Sequence, residues 1–325
     1  SAEHIRAVTS CGWTAEQIRD EELGLKRGGG VCKLLVDLLS SPLIDTVAQA
    51  TGALRHLAMF PDNRILMLEA QILEPMANIA KNSKDLETLR ECAALSCLLS
   101  LSDQLRMPMV ASSLLLPLLE LCPHEDVEIG RQACAALANI AEAKRTHKRL
   151  ATAGNSMHVM VFTMRSKHLS VHRESARAVA NMLSSTAFHR LFLDDGGLVS
   201  LIRLCRSLDS ETLYNCSVIF RKLSPVLTNH EYIVGKGALQ PLQVLTRTQD
   251  VQVNRQAAAA MRDIASNINF KTVMAEEGCL KRAIELIADT DLDLRIIGMG
   301  ILRHLSVNTR IKSPIIEEGA LGPMF

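Results

Sequence analysis

The amino-acid sequence predicts an all-α solenoid of about seven three-helix repeats with partial repeats at its ends. Three observations carry that reading. A short apolar segment returns seven times at steps of 41 or 42 residues. A turn residue, most often glycine, returns in the same phase. The chain is 48% apolar but only 3% aromatic, so Ala and Leu must carry the packing, which suits close helix–helix contact better than sheets. A length of 325 residues would ordinarily imply two or three domains. A repeat array escapes that size limit, because each unit packs only on its neighbours.

The recurring segments are 53–57, 94–98, 136–140, 178–182, 219–223, 260–264 and 301–305. Their fourth residues form a ladder: His56, Cys97, Asn139, Asn181, Lys222, Asp263 and His304. Twenty-six positions before each stands the turn residue: Gly30, Gln71, Ser113, Asn155, Gly196, Gly237 and Gly278, with Gly319 continuing the series. Glycine suits a left-handed residue between two helices, and Gln71 is the poorest fit. Pro75, Pro117 and Pro241 lie 22 positions before the ladder, where a first helical turn tolerates a missing N–H. Each unit therefore reads as a short helix such as 271–277, a middle helix such as 239–245 and a long helix such as 251–266. The long helices are expected to start near Asp45, Glu128, Ser170, Ser210 and Asp291, groups that favour the positive end of a helix. Their apolar residues recur at steps of three and four, as in Ala257, Ala260, Met261 and Ile264, and that stripe must bury against neighbouring units. The repeats occupy 28–320 and a further repeat starts at 321–325. Residues 1–27 fall outside the phase and read as a capping helix or the remnant of an earlier repeat, with Thr14 as N-cap and Trp13 covering the exposed edge.

Composition sets aside several function classes. A net charge of +1 gives no basic footprint for nucleic acid. Nine cysteines without paired spacing read as reduced thiols in a cytoplasmic protein, and no stretch is long and apolar enough to span a bilayer. Asp289, Asp291 and Asp293 are spaced like a calcium loop, but Gly300 stands where the closing Glu belongs. His168 and His172 have a metal-like spacing without a third ligand. Cys92, Cys97, Met107, Met109, Met157, Met160 and Met164 read as core filler. With no phosphate loop, nucleotide fingerprint or nucleophile elbow, the chain is expected to be non-enzymatic, with no cofactor and no metal.

The boundary glycine, the apolar-Pro-Leu start of the middle helix and the apolar-Ala-Leu-x-Asn-Leu long helix resemble the armadillo family over residues 28–325. The resemblance implies a right-handed superhelix whose long helices line a concave groove, with the ladder position pointing into it. Residues four, seven and eight before the ladder share that face. Carboxamides at Gln132, Asn139, Asn181, Asn215 and Gln256 can each donate and accept toward an extended backbone. Arg131, Arg173, Arg177, Lys222 and Arg255 add positive charge, and Asp263 takes the ladder place in the sixth repeat. A protein or peptide partner is expected, held as an extended segment that is acidic or phosphorylated. On this reading Asn139→Ala with Asn181→Ala weakens partner binding and leaves thermal stability nearly unchanged. Nuclear-import members of the family place Trp four residues before the ladder; here Gly52, Ala93, Ala135, Arg177, Val218, Ala259 and Gly300 stand there, which disfavours a basic import signal as cargo. The alternative is a structural assembly component of cytoskeletal, ciliary or vesicle-tethering type, self-associating through convex or end surfaces.

Overall fold

The computed structural model describes residues 30–153 and 155–318. The expectations for 1–27, Gly319 and 321–325 lie outside the described residues. Among the described residues every regular element is helical. The contacts divide the chain into two compact units, which meet after Met182.

The first unit holds α1 (Gly30–Leu38), α2 (Ile44–Leu57), α3 (Pro61–Glu69), α4 (Leu73–Asn82), α5 (Leu86–Ser100) and α6 (Asp103–Ala111). It continues with α7 (Leu115–Leu121), α8 (Val127–Glu142), α9 (His147–Thr152), α10 (Ser156–Thr163) and α11 (Leu169–Met182). The second unit holds α12 (Ala187–Asp194), α13 (Gly197–Leu204), α14 (Ser210–Leu223), α15 (Leu227–Gly235) and α16 (Leu239–Leu245). It ends with α17 (Val251–Ala265), α18 (Lys271–Glu276), α19 (Cys279–Ile287), α20 (Leu292–Leu305) and α21 (Lys312–Glu317). The expected triplets at 239–245, 251–266 and 271–277 correspond to α16, α17 and α18 within one residue at each end.

Long helices pack side by side: α2 on α5, α5 on α8 and α8 on α11 in the first unit, α14 on α17 and α17 on α20 in the second. Small residues make this approach possible. In α17 the run 257–260 is four consecutive buried alanines, followed by buried Met261 and Ile264. Met109, Met157, Met160 and Met164 are buried as expected. Cys97 departs from expectation: it is only half-buried, because the ladder position lies at the margin of the seam rather than inside it.

The turn residue takes the left-handed conformation in most repeats. Gln71 (φ 63°), Asn155 (φ 55°), Gly196 (φ 74°), Gly237 (φ 71°) and Gly278 (φ 90°) all do so. Gln71 is thus a true member of the series. The N–H of Ile72 reaches the Met67 carbonyl and that of Gln71 reaches Leu68, the same pair of bonds that Ala238 and Gly237 make to Ile233 and Val234. This double closure satisfies the last carbonyls of the short helix and offsets the left-handed strain. Ser113 is the exception and does not adopt positive φ.

The long helices are capped by residues one or two places from those expected. Asp85, Asp126, Asp209 and Asp250 stand just before α5, α8, α14 and α17, and each carboxylate accepts backbone N–H bonds from the first turn. Of the expected group only Asp291 is itself the cap, accepting from Leu294 N–H at 3.0 Å. Asp45, Glu128 and Ser170 are second residues and Ser210 a first residue of their helices, too far inside to accept those bonds. Asp289 and Asp293 also have structural places: Asp289 accepts from the Asp291 N–H and Asp293 pairs with Arg255.

A second periodic device was not anticipated. A donor in the helix after each long helix reaches back six residues to a carbonyl at its C-terminal end. Arg64 donates to Ala58, Arg106 to Ser100 and His147 to Ala141 in the first unit, His189 to Leu183 and His230 to Ser224 in the second. These contacts satisfy carbonyls that have no partner within the helix.

His189 gives this device a pH dependence. Its Nε2–H donates to Leu183 at 3.1 Å, and its Nδ1 accepts from the Asn229 amide at 3.0 Å. Burial holds its pKa below the ordinary value of 6.5, against a smaller upward pull from the Leu183 carbonyl. As pH falls, the unfolded chain therefore takes the proton first. The stability contributed by neutral His189 is complete above pH 6.5 and is lost as pH falls through its folded-state pKa. Urea titrations from pH 8 to pH 5 are expected to show a smaller loss of stability for His189→Gln than for the parent chain; equal slopes would remove His189 as a source of the dependence.

Candidate partner-binding site

The ladder residues and those four, seven and eight places earlier form one stripe on each long helix. In the first unit this brings Arg131, Gln132 and Asn139 of α8 beside Arg173, Arg177 and Asn181 of α11. In the second unit it brings Asn215 and Lys222 of α14 beside Arg255, Gln256 and Asp263 of α17. The structure thus places every predicted site residue on these faces, but not all of them are available to a ligand.

Asn139 is the clearest case. It is buried, with 6% of its surface exposed. Its Nδ2 donates to Ser100 Oγ of α5 at 3.0 Å, and its Oδ1 accepts from Arg177 Nη1 of α11 at 2.9 Å. One carboxamide therefore ties three successive long helices together. Asn181 is half-buried, and its Nδ2 donates to the Ala138 carbonyl at 2.9 Å. The expectation that both asparagines can be removed without a stability cost does not fit this geometry, because their amides cross the seam between helices.

Most of the expected positive charge is also compensated. Arg131 pairs with Glu128 at 2.5 Å, and Gln132 donates to the same carboxylate at 2.8 Å. The Arg131 guanidinium holds the Glu128 carboxyl below the usual carboxylate range. Arg177 pairs with Glu174 at 2.7 Å. Arg255 reaches Asp291 at 2.5 Å and Asp293 at 2.9 Å, and its bonds lower the pKa of the Asp291 carboxyl. Arg173 is half-buried on α11. Asp263 is turned back across the seam, bonded to Arg221 Nη1 and to Ser224 Oγ, both at 2.9 Å. Asn215 is buried.

The second unit keeps an open place on this face. Tyr214, Val218, Arg221 and Lys222 of α14, His189 of α12 and Gln256 of α17 border a cleft of about 660 Å³. Tyr214 has 44% of its surface exposed. Lys222 is exposed and has no ion pair among the described residues, and Gln256 makes no side-chain hydrogen bond among them. Sequence arithmetic located Lys222, Gln256 and Tyr214. It missed Arg221 and His189, which come from the flank of α14 and from a different helix.

Together the three-helix units, the left-handed turn residue and the side-by-side long helices define a helical-repeat protein. More particularly, the chain is an armadillo-repeat protein in fold. An engineered protein of known structure superposes with a TM-score of 0.82 at 25% identity, over 98% of this chain and 77% of that one. A computationally designed armadillo repeat protein for modular peptide recognition gives 0.67 at 20% identity, over 71% of this chain and 99% of that one. A designed armadillo repeat protein in complex with the peptide (KR)4 gives 0.66 at 20% identity, over 72% and 99%. Among natural sequences, phospholipase A I of Arabidopsis thaliana is 25% identical over 146 residues, 45% of this chain and 11% of that protein. Vacuolar protein 8 of Schizosaccharomyces pombe is 29% identical over 80 residues, 25% of this chain and 14% of that protein. The match thus spans less than a sixth of either relative. No protein-family model matches the chain. No helix among the described residues is long and apolar enough to cross a membrane.

Proposed function

We propose that this chain is a non-enzymatic interaction scaffold of the cytoplasm, whose long-helix faces hold an extended segment of a partner protein. The observation that carries the proposal is the cleft beside α14. There an exposed aromatic ring, an uncompensated lysine and an unengaged carboxamide share one face, and none of Tyr214, Lys222 and Gln256 is needed for a hydrogen bond or ion pair that stitches the repeats. Aromatic side chains with a wet polar end are good anchors, and a free carboxamide can pair with any peptide backbone. The designed armadillo protein bound to (KR)4 supports the same use of this fold. Buried thiols without disulfides among the described residues agree with a cytoplasmic setting.

Random-peptide display against the intact chain tests the proposal. Enriched peptides are expected to lose binding to a Tyr214→Ala, Gln256→Ala double variant whose thermal midpoint is unchanged. Failure to enrich any peptide, or equal binding to the variant, would remove the scaffold reading.

One observation favours a second reading, assembly through an edge. The first residue of several long helices is apolar and exposed: Ile44, Leu86 and Leu169 in the first unit, Val251 and Leu292 in the second. Self-association that rises with concentration in size-exclusion chromatography, together with tolerance of the double variant by native partners, would place function there instead.

A further inference from the structure

The cleft of the second unit says more than that a peptide binds; it says which side chain the peptide presents. This inference rests on the scaffold reading and sharpens it. The charged residues that border the cleft are all basic: Arg221 and Lys222, with His189 beside them. Arg221 is already neutralised by Asp263 at 2.9 Å, and that carboxylate is further held by Ser224 Oγ. His189 is kept neutral by burial, with both ring nitrogens engaged. Lys222 is therefore the one uncompensated charge bordering the cleft among the described residues. The apolar part of the wall is the stripe Val218 and Tyr214, one and two turns back along α14 from Lys222.

We propose that this cleft is an anchor for an acidic residue of an extended partner segment, with an apolar residue two places along the same segment. The carboxylate pairs with Lys222 Nζ. In an extended segment alternate side chains point the same way, so an apolar side chain two residues on packs against Val218 and the Tyr214 ring. Gln256, projecting from the next long helix, is placed to bond the intervening backbone amide and carbonyl. The ammonium group is a point charge without a fixed fork, so it selects the sign of the ligand charge rather than a planar bidentate geometry.

Three fluorescein-labelled peptides test the proposal on the intact chain by polarisation at low salt: (Glu-Ser-Leu-Ser)3, (Gln-Ser-Leu-Ser)3 and (Lys-Ser-Leu-Ser)3. The glutamate peptide is expected to bind about fivefold more tightly than the glutamine peptide, and the lysine peptide more weakly than either. Lys222→Met should abolish the preference and Lys222→Glu should reverse it, with thermal midpoints unchanged because Lys222 makes no intramolecular ion pair. Lys236→Glu, an exposed position at the end of α15, should change nothing. Tyr214→Ala should weaken the glutamate and glutamine peptides alike. Equal binding of the three peptides, or an acid preference that survives Lys222→Met, overturns the acidic anchor and leaves the scaffold reading standing. No binding by any peptide also overturns it, since one anchor would then be too weak to hold a segment. The scaffold reading itself is decided by the display selection.

Discussion

Gly298→Val is expected to lower the thermal midpoint of the chain by the equivalent of about 3 kcal/mol or more. Gly298 lies in the middle of α20, against α19. A Cβ there would stand 2.9 Å from the Ala283 carbonyl oxygen, 2.9 Å from Leu286 Cβ and 3.1 Å from the Ile287 amide nitrogen. Two of these three obstacles are backbone, so the strain cannot be relieved by rotating a side chain and α20 must move away from α19 as a whole. Two effects compete in the smaller change, Gly298→Ala. Alanine favours a helix over glycine by about 1 kcal/mol, whereas overpacking costs about 1–3 kcal/mol. Backbone contact below 3 Å makes the second term the larger, and a net loss is expected there too. Gly235, at the last position of α15, is the control. A Cβ there meets nothing within 4 Å, so Gly235→Ala should leave stability unchanged or raise it. Circular dichroism melts of the three variants check the order. A Gly298→Ala chain as stable as its parent would mean that α19 and α20 approach less closely than described.

The fold was legible because repetition makes each residue answerable to a neighbour one period away. Seven ladder positions at steps of 41 or 42 residues allowed little freedom in placing α2, α5, α8, α11, α14, α17 and α20. The finer features were legible only where one residue type does the work. Glycine marked Gly196, Gly237 and Gly278, but Gln71 reaches the same conformation with help from the closing hydrogen bonds, and Ser113 keeps the phase without it. The donors at Arg64, Arg106, His147, His189 and His230 recur every 41 or 42 residues and were overlooked. What they share is an N–H reaching back six residues, not an identity. The division after Met182 leaves no mark in the repeat phase, since the step from Asn181 to Lys222 is 41 like its neighbours.

The candidate site was legible in its positions and much less so in its chemistry. Helix periodicity places Lys222, Gln256 and Tyr214 on one face, and the structure borders a cleft with them. The same arithmetic cannot say whether a polar side chain on that face points to solvent or lies across the seam to the next helix. The arginines show where the reading could have gone further. Glu128 and Glu174 stand three residues before Arg131 and Arg177, an ion-pair spacing visible in the sequence, whereas the pairing of Arg255 with Asp291 spans a repeat and needs the packing to be seen.

Asn139→Ala should therefore act on stability first. The substitution removes a donor to Ser100 and an acceptor for Arg177 at a site with 6% exposure, and leaves a cavity too small and too enclosed for bulk water to replace both bonds. Loss of a buried partner costs about 1–3 kcal/mol, and the upper part of that range applies because one of the two bonds involves a guanidinium. Arg177 keeps Glu174 and the Ala135 carbonyl, which limits the loss on its side. Asn181→Ala gives up one bond at a half-buried position, to the Ala138 carbonyl, and should cost about 1 kcal/mol or less. A double-mutant cycle of Asn139→Ala with Arg177→Met isolates the shared term, expected at about 1–2 kcal/mol in urea titrations. Zero coupling would mean that the two side chains do not meet in solution and would return Asn139 to the pool of residues free to hold a partner. Coupling of the expected size would make Asn139 a tie between repeats, so that any loss of partner binding in Asn139→Ala must be judged against its loss of folded protein, and the cleft beside Lys222 becomes the place to look for recognition.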